Sequence, residues 1–92
     1  MFSRELPLTE SESRVLLALL REKQIPIMSL PKAAGLGNGA VYNSVRSLAE
    51  RGLLSEERET NLPRRRFMKL TEKGRRIAVL LERVEHELAE RK

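Results

Sequence analysis

Cysteine and tryptophan are absent from this 92-residue chain, and aromatic residues make up only 3% of it. Without cysteine there is no disulfide framework and no thiolate metal site, which fits a reducing compartment. Long apolar runs are missing too: the longest, Val15 to Leu20, is far shorter than the roughly 20 residues that span a bilayer. The opening segment, MFSRELPLTESES, has no apolar signal core. We therefore expect a cytoplasmic protein with no membrane partner.

Residue patterns that support catalysis are also missing. The chain offers no Ser/His/Asp, Cys/His or clustered carboxylate arrangement. The single histidine, His86, follows Glu82 at helical spacing, and such a pair can hold a metal ion, but a lone histidine on a solvated, charged helix face is far more common. A chain of this length buries one modest core and leaves little room for an enclosed active site. We predict one domain over residues 1–92 that is not an enzyme and needs no metal or cofactor.

Positive charge is concentrated in one segment. The net charge is +5, yet residues 64 to 76 hold seven basic residues against one acidic residue, so this segment carries +6 and the other 79 residues sum to −1. Such a patch favours a polyanionic partner, with nucleic acid ahead of an anionic membrane surface. A solvated surface without a partner remains the alternative for a charge run taken alone.

Charge is absent from residue 33 to residue 45. This segment, AAGLGNGAVYNSV, has no charged side chain, although 34% of the residues in the chain are charged. Ser29 is placed to cap a short helix that ends near Leu36, and Asn38 is a suitable N-cap for the next helix. That second helix should run to about Arg51 and stop at Gly52. Helical spacing predicts that its Val41, Val45 and Leu48 face is buried and that Gly39, Asn43 and Arg46 lie opposite, beside Tyr42.

The remaining elements follow from capping and alternation. Thr9 and Glu12 form a capping box for a first helix to about Lys23, and its apolar residues point all round, so we expect a second surface to pack on it. We predict an edge strand at IPIM and a β-hairpin formed by LLSEER and RRRFMKL. Thr71 caps a last helix to about Arg91. An apolar seam on that helix, typical of helix pairing, comprises Ile77, Leu81, Val84 and Leu88.

This order of elements predicts an α+β, mostly α, fold: a winged helix-turn-helix with a long C-terminal dimerisation helix. The helix-turn-helix covers about 29–52, the wing about 53–70 and the C-terminal helix about 72–91. In helix-turn-helix proteins the second helix of the motif, here 39–51, enters the major groove. A small, acid-free helix start lets backbone N–H groups approach phosphates, while Asn and Arg suit the edges of adenine and guanine.

Two segments carry a family resemblance. GLGNGAVYNSVRSLAERGLL resembles the recognition-helix segment of MarR- and PadR-like transcription regulators, and RRRFMKLTEKGRR resembles their wing strand and the LTxxG start of the next helix. The resemblance implies a dimer that binds promoter DNA, with the wing on the backbone or minor groove and Arg64 or Arg65 as the wing arginine. Where MarR-type wings carry an anchoring Asp this chain has Leu62, so we expect a wing arginine without that anchor. The chain is too short for the helices that build a MarR effector pocket, so no small-molecule effector is expected.

We therefore predict a homodimeric, sequence-specific regulator of transcription that acts on double-stranded DNA at the nucleoid. Its wing contacts should come from residues 58–66. The DNA-contacting residues predicted are Asn38, Gly39, Tyr42, Asn43, Arg46, Arg64, Arg65 and Arg66. The first and last helices together should form the dimer interface, through Leu16, Leu20, Ile77, Leu81, Val84 and Leu88. Two alternatives stay open: a winged-helix module that binds proteins of the transcription machinery, and a nonspecific nucleoid protein that contacts phosphates without reading bases.

Overall fold

The computed structural model describes residues 7–90, and within them four helices pack against a small sheet. The helices are α1 (Glu10–Arg21), α2 (Leu30–Ala34), α3 (Asn38–Glu50) and α4 (Glu72–Ala89), and the strands are β1 (Gln24–Pro26), β2 (Leu54–Arg58) and β3 (Arg66–Leu70). A short 3₁₀ turn, Ile27–Ser29, joins β1 to α2. The predicted winged helix-turn-helix is confirmed. The chain start and the predicted helix end at Arg91 lie outside the described residues.

The sheet is antiparallel, with strand order β1-β3-β2. Its hairpin pairs Leu54 with Leu70 and Arg58 with Arg66, and β1 pairs Ile25 with Met68. Pro26 therefore lies on an edge strand, as its missing N–H requires. Alternation along the strands puts Met68, 1% exposed, on the inner face of the sheet, towards the helices.

Helix α1 is the centre of the core and is covered by its own chain. It packs against α2, α3, α4 and β3, and every residue from Val15 to Leu19 is buried. The second surface expected on this helix is provided by the chain itself, because α4 and the sheet cover the side that α3 leaves open. Leu16, 0% exposed, cannot be a dimer contact. Leu20 is partly buried against the same core.

The capping predictions are confirmed at two helices and corrected at a third. Thr9 and Glu12 form both hydrogen bonds of a capping box, and the Thr71 hydroxyl accepts a bond from the Gly74 N–H at 3.0 Å. Helix α3 instead takes Gly37 as its N-cap, so Asn38 is its first helical residue. The turn between α2 and α3 is made at Gly35, whose φ of 69° suits glycine.

Helix α4 leaves the core gradually along its length. Gly74 and Ala78 are buried, Ile77 and Leu81 are partly buried against the core, and Val84 and Leu88 are exposed. The predicted seam is thus divided between contacts within the chain and an uncovered part. We call Leu80, Val84 and Leu88 the outer stripe; they are 56%, 54% and 81% exposed.

Candidate nucleic-acid interface

The start of α3 forms an exposed and uncharged surface. Asn38, Gly39, Tyr42, Asn43 and Arg46 are all exposed, whereas Val41, Val45 and Leu48 on the opposite face are buried. Helical periodicity places both faces as the sequence indicated. The exposed side can therefore meet a large partner without disturbing the core.

Backbone donors dominate this helix start. No acidic residue lies in the first turn of α3, and the cap at Gly37 supplies no side-chain hydrogen bond. A Cβ built at Gly37 or Gly39 would meet nothing within 4 Å in the described part of the chain. Free N–H groups at a helix N-terminus carry partial positive charge and attract anions. The surface thus offers donors at a site that a phosphate group can reach.

A groove separates α3 from the wing hairpin. Tyr42 and Arg46 line its α3 side, and Glu56 and Arg66 line its sheet side. Tyr42, 44% exposed, also lines a neighbouring groove together with Arg64 at the wing tip. The structure therefore brings Tyr42 and Arg46 of α3 together with the predicted wing arginines along two neighbouring grooves. Asn38, Gly39 and Asn43 line neither groove.

The wing arginines differ in what holds them. The backbone N–H and the guanidinium of Arg65 donate to the Glu59 carboxylate at 3.0 to 3.3 Å, and the guanidinium lies 5.5 Å from the centre of the Phe67 ring. These hydrogen bonds hold the pKa of Glu59 below its usual value. Leu62 leaves the usual anchor position, two residues before Arg64, without an acid, whereas Arg65 is held by Glu59 from across the hairpin.

Arg66 is held on the inner face of the hairpin. Its Nε and Nη2 atoms both donate to Glu56, at 2.9 Å each, and Glu56 also accepts from Arg58 at 3.2 Å. The bidentate hydrogen bonds from Arg66 are the main cause that lowers the pKa of Glu56, with partial burial opposing them. The carboxylate is therefore ionised at neutral pH.

Arg64 is the wing arginine for which the described residues offer no ion pair. It lies at the hairpin tip with φ of 58°, a value that non-glycine residues adopt rarely. Its N–H donates to the Asn61 carbonyl at 2.8 Å, which closes the turn. Arg64 is therefore presented by a fixed backbone and is available to an outside anion.

A second set of contacts, which we call the brace, holds α3 from behind. Glu12 is buried, and its Oε2 accepts from the Ser47 hydroxyl at 2.6 Å while Arg51 lies 3.7 Å from Oε1. Burial acts most strongly on its pKa and raises it, but the bonds from Ser47 and Thr9 and the charge of Arg51 together lower the pKa overall. The brace ties the start of α1 to the end of α3.

Sequence reasoning missed the role of Glu56 and the contact between Glu12 and Ser47. The hairpin register, once assumed, puts Glu56 diagonally across from Arg66, so charge alternation on the two strands was a usable signal. The capping box is the only role that the sequence predicts for Glu12. Nothing local indicates a partner that is 35 residues away.

Other kinds of site have little support between residues 7 and 90. No group of three or more His, Cys, Asp or Glu side chains there could hold a metal ion, and His86 is exposed. None of the helices described is both long and apolar enough to cross a bilayer.

Comparisons with known proteins give one family and one fold. The family model described as "Sugar-specific transcriptional regulator TrmB" matches residues 2–73. None of the curated proteins matches the chain. Among solved structures, the adhesin competence repressor of Streptococcus pyogenes is 26% identical, with a TM-score of 0.78 over 89% of this chain and 60% of that one.

Two further structures agree with this likeness. The PcaV transcriptional regulator of Streptomyces coelicolor is 29% identical, with a TM-score of 0.75 over 83% of this chain and 56% of that one. A MarR family transcriptional regulator of Silicibacter pomeroyi DSS-3 is 26% identical, with a TM-score of 0.74 over 87% of this chain and 56% of that one. The predicted resemblance to MarR-like regulators is confirmed. The chain spans less than two thirds of the length of each of these three proteins.

Proposed function

We propose, from the premise that this chain belongs to the TrmB family of transcriptional regulators, that it binds double-stranded DNA sequence-specifically as a homodimer. In this proposal α3 lies in the major groove and the wing lies on the backbone or in the minor groove. The protein then acts at the nucleoid, in the cytoplasm.

The observation that carries the proposal is the acid-free start of α3. An exposed helix start with no carboxylate in its first turn and open space around Gly39 suits close contact with the DNA backbone. Asn43 and Arg46, both exposed one helical turn further on, have donors and acceptors that suit base edges. Phosphate contacts hold the helix in place, and base contacts supply sequence preference.

The wing supports the same pose. Arg64 extends from the hairpin tip without a carboxylate partner among the described residues, and Tyr42 of α3 lines the same groove as Arg64. The groove between α3 and the hairpin separates the two elements that the proposal assigns to the major groove and to the DNA backbone. Arg64 is therefore the wing residue that we assign to DNA.

The homodimer is proposed from the outer stripe of α4. Leu80 and Val84 line an apolar groove together with Leu8 and Leu53, and Leu88 continues the stripe beyond it. An exposed apolar row at helical spacing is typical of helix pairing. A second copy of the chain fits because the same stripe on both molecules is complementary to itself about a two-fold axis.

Selection of binding sites from a random pool of double-stranded DNA tests the proposal. We expect one preferred site, bound about a thousandfold or more tightly than scrambled DNA at physiological salt. Binding of every sequence with equal affinity would indicate a nonspecific nucleoid protein. No binding at low salt would contradict a DNA function and favour the protein-interaction alternative.

A further inference from the structure

Glu56 lies where the proposed DNA backbone passes. It lines the groove between α3 and the hairpin, opposite Arg46, and its strand position pairs it with buried Met68 on the inner face of the sheet. A carboxylate at this place repels a phosphate strand. It also binds both guanidinium donors of Arg66 that face it, each at 2.9 Å.

The pair changes the charge that the groove presents. Arg66 alone is a phosphate ligand, whereas the pair of Arg66 and Glu56 has no net charge, and both guanidinium donors that bind Glu56 are occupied. Each phosphate that a protein neutralises releases counterions, and the logarithm of affinity then falls with the logarithm of salt concentration by about 0.9 per contact. A withheld arginine therefore has a measurable signature in the salt dependence of binding.

We propose that Glu56 is a positioning residue that withholds Arg66 from the DNA backbone and so limits the protein's affinity for DNA of any sequence. The inference rests on the proposed function, and it assigns Arg66 differently from the sequence prediction, which placed it among the DNA contacts. Arg58, the second partner of Glu56, keeps the carboxylate charged and in place. In this proposal the affinity for DNA of any sequence depends on the Glu56 carboxylate as well as on the number of arginines.

Neighbouring Glu57 provides a matched control. It lies on the same strand but pairs with Phe67 in the register, so its side chain is on the outer face of the sheet, where it forms an ion pair of 3.2 Å with Lys69. Glu57→Gln and Glu56→Gln remove the same charge from adjacent positions. Charges on the two faces act differently on DNA only if the groove is the binding face.

The experiment measures affinity for a scrambled duplex between 50 and 300 mM salt, for the parent and for the variants Glu56→Gln, Glu57→Gln, Arg66→Ala and the double variant Glu56→Gln/Arg66→Ala. We expect Glu56→Gln to steepen the salt slope by about 0.9 and to raise affinity about eightfold at 0.1 M salt, the value of one added phosphate contact. Glu57→Gln and Arg66→Ala should keep the parent slope. The double variant should lose the slope that Glu56→Gln gained.

Arg64→Ala serves as the positive control, since loss of a true phosphate contact should flatten the slope by about 0.9. The inference alone is overturned if Glu56→Gln keeps the parent slope, if Glu57→Gln steepens it equally, or if Arg66→Ala flattens it in the parent. Absence of any DNA binding by the parent overturns the proposed function and this inference with it. Thermal melts of each variant separate a binding effect from unfolding.

Discussion

Glycine has opposite roles at two helix positions of this chain. Gly74 lies in the first turn of α4, where a Cβ would overlap the carbonyl oxygen of Leu53, whereas a Cβ at Gly39 in α3 would meet nothing within 4 Å. The glycine of the LTxxG segment is therefore required by the close approach of α4 to the chain before β2. Packing does not require glycine at position 39, because a Cβ there has open space around it.

The two alanine substitutions should separate these roles. Gly74→Ala forces the helix away from a backbone atom that cannot move freely, and we expect it to lower the free energy of unfolding by about 3 kcal/mol or more. Gly39→Ala should leave this free energy unchanged or raise it by up to about 1 kcal/mol, because alanine is the better helix former. Urea unfolding of both variants provides the measurement. Equal effects would contradict the packing of α4 described above.

Asn43 is the residue on which sequence preference should depend most directly. If α3 lies in the major groove as proposed, Asn43→Ala removes the side-chain amide that suits an adenine edge, and we expect a loss of about 1–3 kcal/mol on the preferred site with relaxed base choice at one position. Thermal stability should not fall, since Asn43 is exposed and lies away from the buried face of α3.

Gln24→Ala is the matched control for Asn43→Ala, because it removes an exposed amide from β1, away from the groove between α3 and the wing. It should bind both the preferred and the scrambled duplex like the parent. If Asn43→Ala behaves in the same way, Asn43 does not read a base.

The helices and strands that could be predicted from the sequence are those formed by interactions between residues close together in the chain. The capping box of α1, the cap of α4 and the hairpin depend on residues a few positions apart, and all three are confirmed. The apolar pattern of α1 predicts that the helix is covered on all sides, but it does not identify the covering elements. Leu16, a predicted dimer contact, is in fact buried within its own chain. The brace joins residues that no periodic pattern relates.

The brace makes the stability of the fold depend on pH. The pKa of Glu12 is lower in the folded chain than its usual value, so the folded state favours the ionised carboxylate. Its contribution to stability is complete above the unfolded pKa and is lost as the pH falls through the folded pKa. At pH 7 we expect Glu12→Gln to lower the free energy of unfolding by about 1–2 kcal/mol.

Melts of the parent and Glu12→Gln between pH 7 and pH 3 test this account, and the stability difference between them should shrink below about pH 4. Glu10→Gln controls for loss of a carboxylate from the same turn, since Glu10 is exposed and forms its ion pair with Arg14 instead. A difference that is constant over the whole range would show that the charge of Glu12 does not stabilise the fold.

The whole molecule is elongated, with principal extents of 51 × 33 × 26 Å. Helix α4 has 18 residues and is about 27 Å long, and past Leu81 every described residue of it is exposed. That half of α4 is largely uncovered by residues 7–90, yet it carries the apolar side chains of Val84 and Leu88. In the proposed homodimer, a second molecule on the outer stripe would shield these side chains and would fix the distance between the two α3 helices.

Val84→Glu tests the dimer without disturbing the fold, because Val84 is 54% exposed in the single chain. A charge buried in a helix pair costs several kcal/mol, so sedimentation should show a folded monomer, whereas His86→Glu, on the opposite side of α4, should leave the dimer intact. A dimer presents two recognition helices, so the selected site should be an inverted repeat with half-site centres about 10 bp or a multiple apart. Val84→Glu should bind one half-site like the parent and lose about a hundredfold or more on the complete site. A stable Val84→Glu dimer would instead place the interface away from the outer stripe.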